Sequence, residues 1–218
     1  MEFSAEKHLR TDCEEYFDPI QNCFEKGNRA MKDLLSGIQE RRSFYAISKK
    51  SNISDDQVRD LVEAAVKHTP SAYNMQSQRA VLLLGPENDK LWEIVMNALR
   101  AKVPAERFAK TEEKINGFAA SYGSVLFFDD TAVTDSFARQ FDSYEGQFTG
   151  WALQANGMLQ INIWNLLEGE GFGASLQHYN PLIDEAVKRA WGLPESWKLL
   201  AQIPFNMLTG VPKEKEFV

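Results

Sequence analysis

The sequence is poor in the residues that most often announce a particular chemistry. Only two cysteines occur in 218 residues, Cys13 and Cys23. They are too few for a disulfide framework and are not spaced as a metal knuckle. His8, His68 and His178 are scattered, and without His-Glu-x-x-His or Cys-x-x-Cys a zinc site has little to build on. No Gly-x-Ser-x-Gly elbow is present, which removes the common serine hydrolase arrangement. No apolar run approaches the ~20 residues that span a bilayer. The start, Met-Glu-Phe-Ser-Ala-Glu-Lys-His, lacks the basic-then-apolar order of a secretory signal. The expectation is a cytoplasmic protein with no membrane partner and no metal. Positive charge is scarce too: 24 Lys and Arg face 31 Asp and Glu, a net charge of −7, and the basic residues form no long run. Double-stranded nucleic acid, whose affinity rests on neutralising many phosphates, is not an expected partner. A single small phosphate is, because one or two arginines suffice for it.

What is there suffices for a folded domain. At 44% hydrophobic content, the chain can bury a sizeable core as one large domain or a domain plus an appendage. Residues 1–30 read as an N-terminal extension: Leu9, Cys13, Phe17 and Ile20 share a helical face, but Pro19 and Gly27-Asn28 interrupt it. The domain proper runs from 31 to 218. Met31, Leu34, Leu35 and Ile38 give one apolar helical stripe. Ser54-Asp55-Asp56-Gln57 has the form of a capping box, opening a helix that buries Val58, Leu61, Val62, Ala65 and Val66. Pro70 forces Thr69 out of helical geometry and ends it near His68. Ala80–Leu84 reads as a short buried strand closed by Gly85-Pro86. Leu91, Ile94, Val95, Ala98 and Leu99 mark the next helix, and another starts at Pro104. Val125–Phe128 is a second strand ended by Asp129-Asp130. Residues 147–168 are helical, with Trp151, Leu153, Met158, Leu159, Ile161 and Leu166 burying most of that surface. A helix over Pro181–Trp191 and a third strand over Lys198–Phe205 complete the domain. Helices outnumber strands without βαβ alternation, so the fold class is α+β.

Three places hold residues suited to a ligand. Asn74, Gln76 and Gln78 put three neutral amides within five residues, between a helix and a strand. Amides donate and accept, so they match a flat heterocycle with both kinds of edge; the alternative is an ordinary polar loop. Arg41 and Arg42 are planar forks suited to phosphate oxygens, with the Ser43 hydroxyl beside them; alternatively they complement the negative end of a helix dipole. Gly169-Glu-Gly-Phe-Gly173 invites a dinucleotide reading, but that fingerprint needs a strand before it and a helix after it. Here a helix precedes it, so the first glycine reads as a helix C-cap. His178 suits a ligand contact or a hydrogen-bonded, partly buried position equally.

From Met31 to Val218 the chain resembles the FMN-dependent nitroreductase family. Within it, the likeness is to the branch of the yeast fatty-acid-repression-mutant nitroreductase and related bacterial stress nitroreductases. The likeness rests on Arg41-Arg42-Ser43-Phe44-Tyr45, on the run His68–Arg79, on Gly171–Pro181 and on Trp197–Phe205. The resemblance implies a mostly antiparallel sheet flanked by helices, dimerising through long helices, with one FMN in each of two interface clefts. Carried over position by position, Arg41 and Ser43 hold the phosphate or ribityl chain with Arg42 beside them. Pro70, Ser71, Asn74 and Gln76 approach the flavin from the partner subunit, and Gln177-His178 pass its reactive nitrogen. Lys215, with Lys213 a second candidate, reaches the phosphate from the tail. Asn206 departs from the pattern, where the branch carries glycine.

The function implied is a two-step hydride transfer: NADH or NADPH reduces FMN, then a nitroaromatic or quinone-like acceptor takes its place, in oxidative or nitrosative stress defence. The flavin carries the redox chemistry, so no side chain need act as nucleophile and no catalytic residue is assigned. The alternatives are a flavin-binding sensor or regulator with incidental turnover, and a helical interaction protein without cofactor.

Overall fold

Three strand segments expected from the sequence become four in the computed structural model, which describes residues 32–45, 48–144 and 146–208. Expectations for 1–30, for Met31, and for Lys213 and Lys215 lie outside the described residues. The described residues form helix α1 (Leu34–Glu40), α2 (Asp55–His68), strand β1 (Gln78–Leu84), α3 (Pro86–Arg100), α4 (Phe108–Ala119) and β2 (Gly123–Asp130). They continue through α5 (Thr131–Gln140), α6 (Gln147–Gly169), β3 (Phe172–Ala174), α7 (Asp184–Trp191) and β4 (Trp197–Met207). The class is α+β: one antiparallel sheet in the order β1-β2-β4-β3, with helices on both faces.

The capping box forms as expected. Ser54 Oγ accepts from Gln57 N–H while the Gln57 side chain accepts from Ser54 N–H, and the helix ends where Thr69 turns extended ahead of Pro70. Strand β2 is buried along nearly its whole length because both faces are covered, which explains its unbroken apolar run. On one face Val125 and Phe127, with Ala201, Ile203 and Phe205 of β4, meet Val58 and Val62 of α2 and Leu159, Ile163 and Leu167 of α6. On the other, Leu126, Phe128 and Leu83 meet Leu91, Trp92 and Val95 of α3, Phe118 of α4 and Val187 of α7. A register shift between Phe127 and Phe128 marks a bulge, which lets Leu199 and Ala201 both face inward on opposite sides.

Several sequence expectations are corrected. Asp129 and Asp130 lie inside β2, paired with Gln78 and Trp197. Strand β3 escaped notice because three residues carry no period of their own. Helix α7 begins at Asp184 rather than Pro181. Gly169 is the last helical residue of α6, and Gly171, at φ +82°, takes the left-handed turn. The larger correction concerns α6, and α1 leaves its apolar stripe open as well. Leu34, Leu35 and Ile38 are 70%, 63% and 46% exposed, and Leu153, Met158 and Ile161 of α6 are also exposed. Helix α6 buries one apolar face against the chain and leaves a second uncovered, while α1 buries only Gly37 and leaves its stripe open. Among the described residues no helix is long and apolar enough to cross a membrane.

Candidate functional site

The amide loop between α2 and β1 is shaped by backbone as much as by side chains. Tyr73, Asn74 and Gln76 hold φ of +53°, +52° and +51°, left-handed values that cost a non-glycine residue about 1–2 kcal/mol. Such strain persists only where neighbours fix it, and it gathers at functional sites. Here Ser71 Oγ accepts from Gln76 N–H at 2.9 Å and Ser71 C=O from Asn74 N–H at 3.0 Å. Met75 points inward, 4% exposed, packed with Phe148 and Ala152 of α6. The outcome is one residue in and three out. Asn74 and Gln76 are exposed and linked by a Gln76 Nε2 to Asn74 Oδ1 bond of 3.0 Å. Gln78 differs: it is buried and donates to Pro70 C=O at 3.2 Å, a clamp across the base of the loop. Arg79 braces the same base, donating to Gln76 C=O and to Asp130.

The loop also carries a residue the sequence reading passed over. The half-exposed Tyr73 ring lies 4.7 Å from Phe141 and within about 6 Å of Tyr144, Phe148 and Trp151. The signal was available in the aromatic spacing Phe141, Tyr144, Phe148, Trp151, but a helical aromatic stripe reads first as core.

The two arginines part company. Arg42 donates to Gln39 C=O at 2.7 Å and Arg41 C=O at 2.8 Å, so it caps the negative end of α1. Arg41 lays its guanidinium over the Trp164 ring, 4.4 Å from the centroid. Among the described residues no carboxylate pairs with either arginine. Ser43 is exposed and bridges Ala174 in parallel, with Phe44 N–H donating to Ala174 C=O at 3.0 Å. This close approach requires Gly173, since a Cβ there would sit 2.9 Å from the Phe44 side chain.

Gln177 is buried and exchanges both backbone bonds with Gln202, at 2.7 and 2.9 Å. Gln202 then accepts from Tyr179 N–H through its side-chain oxygen at 2.8 Å. His178 lies exposed between these two anchors, and no described residue accepts its backbone N–H. Gln202, fully buried in an apolar strand, is a second residue the sequence reading missed. An amide within Leu199–Phe205 was its signal. Burial first, then the nearby Tyr45, push the Tyr179 phenol up to about 12.

Arg41–Ser43 and Ser175–His178 are thus brought together along the β3–β4 edge of the sheet. The exposed tip of the amide loop is not with them, although its first residue, Thr69, accepts from Asn162 Nδ2 of α6 at 2.9 Å. The loop leads into β1, the opposite edge, and its Tyr73 packs against Trp151 while Arg41 packs against Trp164 of the same helix. At 1.5 Å per residue those two points of α6 lie about 20 Å apart.

Comparison with known proteins gives a consistent picture. The profile of the Nitroreductase family matches residues 38–206. Nitroreductase FRM2 of Saccharomyces cerevisiae is 33% identical over 188 residues, 85% of this chain and 93% of its own length. Nitroreductase CinD from Lactococcus lactis, solved with chloramphenicol, is 40% identical with a TM-score of 0.76, covering 85% of this chain and 95% of CinD. A nitroreductase from Desulfitobacterium hafniense with bound FMN shares the fold, at a TM-score of 0.62 and 19% identity over 85% of this chain and 95% of that one.

Proposed function

Because this chain belongs to the nitroreductase family and is an oxidoreductase on that ground, we propose that it uses NADH or NADPH to reduce nitroaromatic or quinone-like acceptors through FMN. In the same reading it is a cytoplasmic homodimer whose clefts draw on both chains, acting in oxidative or nitrosative stress defence. The observation that carries the two-chain cleft is the separation of the amide loop from Arg41–Ser43 along α6. A second copy would set its own amide loop beside this chain's Arg41–Ser43, closing one cleft from both sides. The uncovered apolar faces support the same assembly: Leu34, Leu35 and Ile38 on α1, and Leu153, Met158 and Ile161 on α6. Gly150 and Gly157 are exposed on α6, with open space where a Cβ would stand, so another helix can approach closely there.

The residues fit FMN. Arg41 offers a guanidinium with no carboxylate partner among the described residues, in a protein of net charge −7, and a phosphate is its natural counter-ion. Ser43 adds an exposed hydroxyl. Asn74 and Gln76 are fixed outward by a strained backbone, with amide edges for the flavin's pyrimidine side, and the His178 N–H is held by Gln202 on either flank. When bound, FMN supplies the hydride-accepting and hydride-donating ring. The chain's part is to bind it, orient it and place donors where negative charge develops. CinD and FRM2 carry nitroreductase names and CinD binds chloramphenicol and 4-nitrophenol, which supports a flat nitroaromatic as acceptor here.

The test is the visible spectrum of purified protein given FMN, then NADH or NADPH without oxygen. Retained flavin whose band bleaches, and recovers on adding a nitroaromatic, is the expected result. Bound flavin that neither nucleotide reduces would favour the sensor reading, and failure to retain flavin would sink both. Arg41→Ala should weaken FMN affinity by about 10- to 100-fold, the worth of a charge-assisted bond pair; unchanged affinity would return Arg41 to a helix-end role.

A further inference from the structure

We propose that Trp164 is the positioning residue for the phosphate end of the cleft, holding the Arg41 guanidinium by its face so that its edge is presented to the phosphate. The proposal rests on the reading above that Arg41 binds that phosphate.

Helix α1, which ends in Arg41, is a poor foundation for a precise contact. It is seven residues long, its only buried residue is Gly37, and its apolar stripe is exposed. Arginine carries large rotamer freedom, so a guanidinium at the end of such a helix samples many directions unless something restrains it. Trp164 is the opposite kind of element. It is 8% exposed, set in the core cluster with Leu159, Ile163 and Leu167 on a 23-residue helix. Its ring therefore has little freedom of its own. The 4.4 Å separation from Arg41 is well within the range of cation–π attraction, which is strongest for tryptophan.

Stacking restrains the guanidinium without consuming it. At 4.4 Å above the ring the fork can lie parallel to it, and its five N–H donors, which lie in its plane, then point past the ring edge. No described residue takes a hydrogen bond from that edge, so the donors remain for an anion. Two further donors on this seam, Trp164 Nε1 and Arg42 Nε, are buried and unpartnered. The seam also holds unpartnered acceptors, Asn165 Oδ1 and Glu168 Oε2. It is the ring face, not the indole N–H, that Arg41 meets. Lys32 pairs with Glu168 at 2.9 Å, so this neighbouring carboxylate already has its own cation.

Riboflavin, which lacks the phosphate, separates this role from general support of the fold. Affinities for FMN and riboflavin are to be measured by flavin fluorescence on the full chain, for the wild type and for Trp164→Leu, Arg41→Ala and the double variant. Trp164→Leu should weaken FMN about 3- to 10-fold while riboflavin stays within about twofold, and should add nothing in the Arg41→Ala background. Equal weakening of FMN and riboflavin, or unchanged FMN affinity, overturns the proposal. If Trp164→Leu does not fold, Trp164→Met keeps apolar bulk without a ring, and the same two results decide. Should Arg41→Ala itself fail to distinguish FMN from riboflavin, the phosphate assignment falls and this proposal with it. Should Arg41→Ala discriminate and Trp164→Leu not, only the proposal falls.

Discussion

Replacing Met75 by alanine should loosen the amide loop more than it unfolds the protein. Three residues of the loop sit in left-handed geometry, at a combined cost of roughly 3–6 kcal/mol. Its internal hydrogen bonds are the Ser71 Oγ bond, the two backbone bonds from Asn74 and Met75, the exposed Gln76–Asn74 side-chain bond and the Gln78 clamp on Pro70, worth about 1 kcal/mol each or less where exposed. They roughly match the strain and leave little margin. The excess comes from Met75, 4% exposed between Phe148 and Ala152, where a buried Met→Ala change costs about 2–5 kcal/mol. Without it the strained geometry loses its advantage over an open loop.

Opening the loop caps the global loss, because the β1–β2 core does not depend on it. Hydrogen exchange read by mass spectrometry or NMR should show the amides of residues 74–76 exchanging about 30-fold faster or more, since 1.4 kcal/mol corresponds to a factor of ten. The β1–β2 amides should keep their protection relative to global stability. Met75→Leu, nearly volume-conserving, should cost less than about 1.5 kcal/mol and leave the loop closed. If Met75→Ala lowers global stability by the full amount while the amides of residues 74–76 exchange as before, something other than Met75 holds the loop and the reasoning fails.

Gly173→Ala should destabilise by about 1–3 kcal/mol, because the new Cβ meets Phe44 at 2.9 Å and Leu208 at 2.5 Å; urea unfolding measures this, and flavin affinity should fall with it as Arg41–Ser43 are pushed off β3. Alkaline stability should fall as pH rises from about 10 to about 12. The Tyr179 phenol ionises near its ordinary value of about 10 when unfolded but at about 12 when folded, so the unfolded chain loses its proton first and unfolding is favoured across that window. Lys32 acts in the same direction: burial lowers its value, but bonds to Glu40 and Glu168 outweigh that and raise it. Denaturation series at pH 9 to 12 should therefore show a shallower decline in Tyr179→Phe, and an unchanged slope would mean that Tyr179 titrates normally.

Much of the fold was legible where one physical rule dominates. Ser54 and Gln57 formed the capping box their spacing specifies, Pro70 ended α2, and the unbroken apolar run of β2 reflected cover on both faces. Periodicity says that Leu34, Leu35 and Ile38 share a face, but not that it stays uncovered. The same limit hid Leu153, Met158 and Ile161. In the candidate site, residue types pointed to Arg41, Asn74 and Gln76, but not to what orients them. Trp164 and Gln202 work through contacts between segments distant in sequence, which no local pattern records. Tyr73 was hidden differently, since a left-handed tyrosine is a tertiary outcome that its own propensities oppose.

The length of α6 has a consequence for inheritance. Under the two-chain reading, each subunit lends its arginine corner to one cleft and its amide loop to the other. Defects in a mixed population of chains then do not average. Pair a chain lacking Arg41 with one lacking Asn74, and one cleft receives both lesions while its twin receives neither. Two alleles that each fail alone would restore one working cleft when expressed together, whereas two lesions at the same corner would restore none.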